Sequence, residues 1–132
     1  FKMEAYDMIL ENVAVVDSFK NSCAVVHSDS DTTIQRLNQE AAKVMYRANE
    51  NGFDIDEAHA ITWITLNAAK SLGVDNKVGS LEAGKQGDVV VWNQNPFSVY
   101  AKAEQVFIDG AKVFDLNDDS YQAKSDFLLG QK

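Results

Sequence analysis

Apolar positions fall into two regimes along the chain. Up to residue 73 they recur at intervals of three and four. From residue 79 onward they come in short runs separated by turns. In the first regime Tyr6, Ile9, Leu10, Val13, Val16 and Phe19 lay one stripe along a helix over residues 4–19. Residues 23–26, Cys-Ala-Val-Val, are a short continuous apolar run and read as a buried strand of parallel type. Ile34, Leu37, Ala41, Val44, Met45 and Ala48 form the inner face of the next helix, opened by Thr32 with Gln35 as its capping-box partner and ended by Asn51-Gly52. Asp54 with Glu57 repeats the capping pattern ahead of a third apolar face, Ala58, Ile61, Ile64, Ala68 and Leu72. Asn67 suits the cap of a short helix after a break near residues 65–67, and Gly73 is placed to end that helix.

In the second regime Gly79, Gly84 and Gly87 punctuate a polar loop that runs into Val89, Val90, Val91 and Trp92. These four do not alternate with polar residues, which predicts a strand covered on both faces. Residues 93–96 form a turn. Residues 105–108 and 112–114 flank Asp109-Gly110, the signature of a β-hairpin with a tight type I′ turn. Residues 117–120 read as loop and residues 121–132 as a weakly patterned tail. The order of helix, strand, two helices and then strands predicts an α/β or α+β fold. A lone parallel strand at residues 23–26 needs sheet neighbours that the chain does not obviously provide.

Composition narrows the class. A chain of 132 residues fits one domain, and is about half the ~250 residues of a (β/α)8 barrel. With 45% hydrophobic and 24% charged residues it is globular rather than disordered. A net charge of −8 argues against a nucleic-acid partner, because phosphates demand clustered Lys and Arg. No apolar run approaches the ~18 residues of a membrane span, and no signal-peptide pattern is present, so a soluble cytoplasmic or periplasmic protein is expected. Cys23 has no second cysteine to pair with and is expected as a buried free thiol. The first residue is Phe, which suggests a fragment or a processed product.

One cluster combines ionisable side chains with a strand end: His27-Ser28-Asp29-Ser30-Asp31. In βα architectures the C-terminal end of a strand is where catalytic groups sit. His27 and Asp29 are two apart and share one side if the strand continues through them, where they could share a metal or a proton. The competing reading is that Ser and Asp ahead of a helix are ordinary turn formers and caps. Other polar features read as structural: His59 on a helix surface, Lys70 and Lys85 solvated, and Asp115, Asp118 and Asp119 in a solvated turn. Trp63, Trp92, Phe97, Tyr100 and Phe107 read as core or interface aromatics. The glycine loop leads into a strand and lacks Gly-Lys-Ser/Thr, so it is no phosphate loop.

Four segments together resemble one family. Val25-Val26-His27-Ser28-Asp29 resembles the end of the eighth barrel strand of the amidohydrolase superfamily. Residues 60–73 resemble its "T-x-N-A-A-x-x-L-G" helix. Residues 79–92 resemble its "GSLEPGKxADLVVW" segment, with Ala83 where proline is usual and Gly87 where alanine is usual. Residues 106–110 resemble its closing strand. The likeness runs from about residue 3 to residue 115 and points to the imidazolonepropionase-like and dipeptidase-like branches.

The resemblance implies the C-terminal βα portion of a TIM-type barrel over residues 1–76, from the seventh barrel helix onward. Strands of an accessory, composite β-sandwich would follow over residues 77–116, and a tail over residues 117–132. It implies a metal-dependent hydrolase of carbon–nitrogen bonds in small amide, cyclic-amide or dipeptide-like substrates. A divalent metal, zinc in the complete enzyme, makes water nucleophilic there. Asp29 would be metal ligand and proton acceptor, with His27 as a second candidate ligand. The family's His-x-His pair and its further Lys or Glu and His ligands have no counterpart here, since the only histidines are His27 and His59. The chain alone is therefore expected to bind no metal tightly and not to be catalytic. The other reading is a non-catalytic α+β association module that forms homo-oligomers or pairs with a separate barrel half.

Overall fold

A computed structural model describes residues 6–121. Helix α1 spans Asn12–Asp17. A segment without regular secondary structure follows over residues 22–28. A 3₁₀ turn, Ile34–Arg36, leads into α2, Leu37–Glu50. Helix α3, Glu57–Ala60, continues as a 3₁₀ turn over Ile61–Ile64, and α4 covers Leu66–Ser71. Three antiparallel strands complete the fold in the order β1 (Val89–Trp92), β2 (Ala103–Ile108), β3 (Ala111–Asp115), with a 3₁₀ turn at Asp119–Tyr121. The fold is thus a helical layer and a mixed-in antiparallel sheet of three strands.

The core sits in the helical layer. Trp63 is fully buried among Ala24, Ala41, Ala42, Met45, Ala60 and Phe97. Four of these neighbours are alanines, whose small side chains let α2 and the 3₁₀ turn pack closely around the indole, at the density of a protein interior. Asn38 Nδ2 donates to the carbonyl of Pro96 at 2.5 Å and ties α2 to the turn after β1.

Several local expectations hold. The break before the last helix occurs at Thr65, with φ −130° and ψ −91°. Gly73, at φ +70°, ends α4: its N–H donates to Lys70 O at 3.0 Å, and the N–H of Val74 donates to Ala69 O at 3.0 Å. That double bond pattern satisfies carbonyls the helix would otherwise leave open. The hairpin turn has φ +51° at Asp109 and +78° at Gly110, as a type I′ turn requires, and pairs Ile108 with Ala111.

Others are corrected. The first helix starts at Asn12; residues 6–11 are turn and irregular, and the expected start at residue 4 lies outside the described residues, as does the tail from residue 122. Tyr6, Ile9, Leu10, Val16 and Phe19 are exposed, so most of the stripe has no surface to cover. A short helix gains its stability from such burial, and only the part around buried Ala14 forms. Residues 23–26 form no strand and pair with none among the described residues. Cys23 is exposed, not buried. Thr32 and Gln35 form no capping box, because the chain enters α2 through the 3₁₀ turn instead. The cap of α3 is Asp56, whose Oδ1 accepts the His59 N–H at 2.7 Å, rather than Asp54. β1 is an edge strand with Val90 and Val91 exposed, not a strand covered on both faces. Trp63 and Phe97 are core, whereas Tyr100 is exposed. Lys85 is mostly buried against Ser80 Oγ, at 2.5 Å, and Glu82, at 3.3 Å.

Asp115, expected in a solvated turn, is only 7% exposed. It accepts hydrogen bonds from Lys112 Nζ at 2.7 Å, Gln105 Nε2 at 3.0 Å and the Asn117 N–H at 3.0 Å. The lysine first, then the amide and the glutamine, hold its carboxyl at about 2, below the ordinary 3.8. A depressed carboxyl stabilises the fold above its unfolded value, and that contribution is lost as pH falls toward 2. Urea denaturation between pH 5 and pH 2 is expected to show stability falling with acid. Asp115→Asn should flatten that slope without abolishing it, since Glu82 and Asp118 are also lowered by their partners. An unchanged slope in the variant would contradict the assignment.

The glycine loop makes one close approach. A Cβ on Gly79 would lie 2.6 Å from Ala69 Cβ and 3.1 Å from Leu66 Cα, at φ +91°. Gly79→Ala is expected to destabilise the chain by about 2–4 kcal/mol, from the left-handed backbone plus overpacking against α4. Gly84 has φ +93° and open space around it. Gly84→Ala should then cost only the backbone share, about 1–2 kcal/mol. Equal losses for the two variants in chemical denaturation would sink the contact argument.

Candidate functional site

The candidate residues His27 and Asp29 lie at the end of the irregular segment of residues 22–28 and in the bend that follows it. What fixes that segment is the helical layer. The Val26 N–H donates to Trp63 O at 3.1 Å, and Asn67 Nδ2 donates to Ala24 O at 2.9 Å. Cys23 Sγ donates to Asn67 O at 3.3 Å. Beyond Ser28 the chain turns. Ser28 Oγ donates to Ser30 O at 2.9 Å, and Ser30 Oγ accepts the Thr32 N–H at 3.2 Å. These local side-chain bonds substitute for ladder bonds, as serine and threonine do in turns. Asp29 itself has φ +49°, a left-handed conformation that aspartate tolerates better than most residues. Residues 22–28 form no strand, so strand alternation does not set the directions of His27 and Asp29. Both are exposed.

A catalytic zinc site needs three protein ligands and an open position. Among the described residues, no group of three or more His, Cys, Asp or Glu side chains is placed to hold a metal ion. Asp29 and His27 suit part of such a donor set and do not complete one.

Two other concave features are present among the described residues. A polar groove of about 410 Å³ is lined by Asp17, Asp54, Asp56 and His59 beside Phe53 and Ile55. There His59 Nε2 and Asp17 Oδ2 are hydrogen-bonded, which pins α1 to α3, and the His59 ring stands edge-on to Trp63 at 6.0 Å. A larger, mostly apolar cavity of about 730 Å³ opens between α4 and β1, with Ile64, Leu66, Leu81, Val90 and Trp92 among its lining. Sequence reasoning found neither. Asp17 and His59 are 42 residues apart, and no periodicity links them. Asn67 was noticed as a cap, whereas its side chain bonds a distant backbone instead. No helix among the described residues is long and apolar enough to cross a membrane.

Residues 11–118 match the profile described as the Amidohydrolase family. The chain is 51% identical over 41 residues to the imidazolonepropionase of Shewanella oneidensis, covering 31% of this chain and 10% of that protein. It is 40% identical over 65 residues to the imidazolonepropionase of Phocaeicola vulgatus, covering 46% and 16%. It is 39% identical over 56 residues to Amidohydrolase tasK of Hapsidospora irregularis, covering 42% and 6%. Among solved structures, an amidohydrolase from Thermotoga maritima superposes with a TM-score of 0.73 at 30% identity, over 86% of this chain and 28% of that one. The chain thus matches only a small part of the length of each of these relatives. A profile match that takes in most of the chain, with a superposition over nearly the same extent, means that the protein belongs to the amidohydrolase family.

Proposed function

We propose that this chain is part of a metal-dependent hydrolase acting on carbon–nitrogen bonds of small amides or cyclic amides. Residues 1–76 are the C-terminal βα portion of its TIM-type barrel, residues 77–116 strands of its accessory composite sandwich, and residues 117–132 a tail. The observation that carries this reading is the family match over residues 11–118, which spans Asp29, the helices on either side of it and the sheet. The imidazolonepropionases among the relatives favour a cyclic amide as substrate class. The metal, zinc in this reading, supplies an activated water. Asp29 would hold the metal and serve as a proton acceptor beside it, and His27 would be the second donor from this segment. The remaining ligands come from outside the described residues, and the chain alone does not turn over substrate. The test is hydrolysis of a panel of imidazolones, cyclic amides and dipeptides by the assembled enzyme, before and after chelation. Ring opening that stops on chelation and returns with zinc supports the reading; activity indifferent to chelation overturns it.

A second reading, a non-catalytic module that associates with a copy of itself or with a separate barrel half, is favoured by the exposed Tyr6, Leu10 and Phe19 and by the exposed edge strand β1. Exposed edges and apolar faces favour association. Sedimentation showing a stable monomer would count against it.

A further inference from the structure

The segment that carries His27 and Asp29 has no strand beside it among the described residues, yet it is not loose. Two backbone groups of this segment, the Ala24 carbonyl and the Val26 N–H, are both hydrogen-bonded to the helical layer. Both of these groups are taken by the irregular junction between the 3₁₀ turn and α4. The Trp63 carbonyl accepts the Val26 N–H at 3.1 Å, and Asn67 Nδ2 donates to the Ala24 carbonyl at 2.9 Å. The junction can do this because Thr65, at φ −130° and ψ −91°, breaks the helix. The break leaves the Trp63 carbonyl available and brings the Asn67 side chain to the same segment. Ala24 is 3% exposed, so water does not readily replace the Asn67 amide. The Trp63 end is anchored by a fully buried indole.

We infer that Asn67 is a positioning residue for Asp29: with the Trp63 carbonyl it clamps residues 24–26 and so sets where Asp29, three residues beyond Val26, stands. This rests on the reading of Asp29 as a metal ligand. Asn67 touches neither metal nor substrate; it acts through the segment it holds. Orientation of a ligand by such a partner typically affects metal affinity or activity by about 10–100-fold.

Asn67→Asp keeps the shape and removes the donor, and Asn67→Ala removes the side chain in a residue type that favours α4. Two measurements follow on each. In this chain the Val26 N–H keeps its bond to the Trp63 carbonyl, but losing the neighbouring Asn67–Ala24 bond loosens the segment, so exchange at Val26 is expected to quicken about tenfold, the equivalent of roughly one hydrogen bond, while exchange across α2 stays unchanged. In the assembled, metal-loaded enzyme, zinc should be lost faster and kcat should fall about tenfold or more with little change in KM. Unchanged exchange in both variants overturns the clamp. Faster exchange with unaltered zinc retention and kcat overturns its role in positioning Asp29. If Asp29→Asn itself leaves zinc retention and kcat unaltered, the reading of Asp29 fails and the inference falls with it, and that result is distinct from either of the others.

Discussion

Asp29→Asn is expected to lower turnover of the assembled enzyme on the order of 10²–10⁴-fold, the range seen when a positioned proton acceptor is lost. The side chain keeps its size, and the amide tolerates the left-handed backbone at φ +49° as aspartate does. Folding should therefore be nearly untouched, and kcat should carry the loss along with zinc retention. His27→Asn should have the smaller effect, because His27 is exposed and only Asp29 is assigned the proton-accepting role. Steady-state kinetics with zinc analysis on both variants checks this. A fully active Asp29→Asn would remove Asp29 from the chemistry, and a His27 effect larger than the Asp29 effect would reverse their proposed roles.

Trp63→Ala is expected to cost about 3–5 kcal/mol, the range for deleting a large aromatic from a packed core. Few positions in the chain combine so many roles. The indole is fully buried in a cluster with Ala24, Ala41, Ala42 and Ala60, and the Trp63 backbone carbonyl holds Val26. The alanines cannot close the gap, because they have no side-chain length to move into it. With domain stabilities of only about 5–15 kcal/mol, such a loss leaves a marginal fold. Trp63→Phe should cost less, since a ring remains and the Nε1 group, which has no hydrogen-bond partner among the described residues, is gone. Tyr100 is 79% exposed, and Tyr100→Ala should change stability by no more than about 0.5 kcal/mol. Urea denaturation of the three variants gives the order; a Trp63→Ala loss comparable to that of Tyr100→Ala would contradict the placement of the core.

What could be read from the sequence follows the range of the interactions. The hairpin at Asp109-Gly110 was legible because two adjacent residues with positive φ decide it. The break at Thr65 and the stop at Gly73 are likewise local. The caps were misassigned because capping depends on the direction from which the chain enters a helix. Asp56 stands where the backbone is extended just before α3, while Thr32 is already engaged with Ser30. Residues 23–26 and 89–92 read as buried strands because their residues are apolar, but burial of a strand is decided by neighbours distant in sequence. The first is held by a helix junction and the second lies at a sheet edge. Of the candidate site, the residue types were legible from His27 to Asp31. The turn at Asp29 and the Asn67 clamp were not, since the first is a conformation and the second spans 43 residues.

The metal content and turnover of this purified chain, without any other polypeptide, test most directly whether it carries only part of a metal site. With Asp29 and His27 as its contribution, the chain should retain far less than one equivalent of zinc after gel filtration and hydrolyse no amide of the panel. Stoichiometric zinc with turnover, both lost in Asp29→Asn, would contradict it, for the described residues would then have to form a complete centre that their arrangement does not provide.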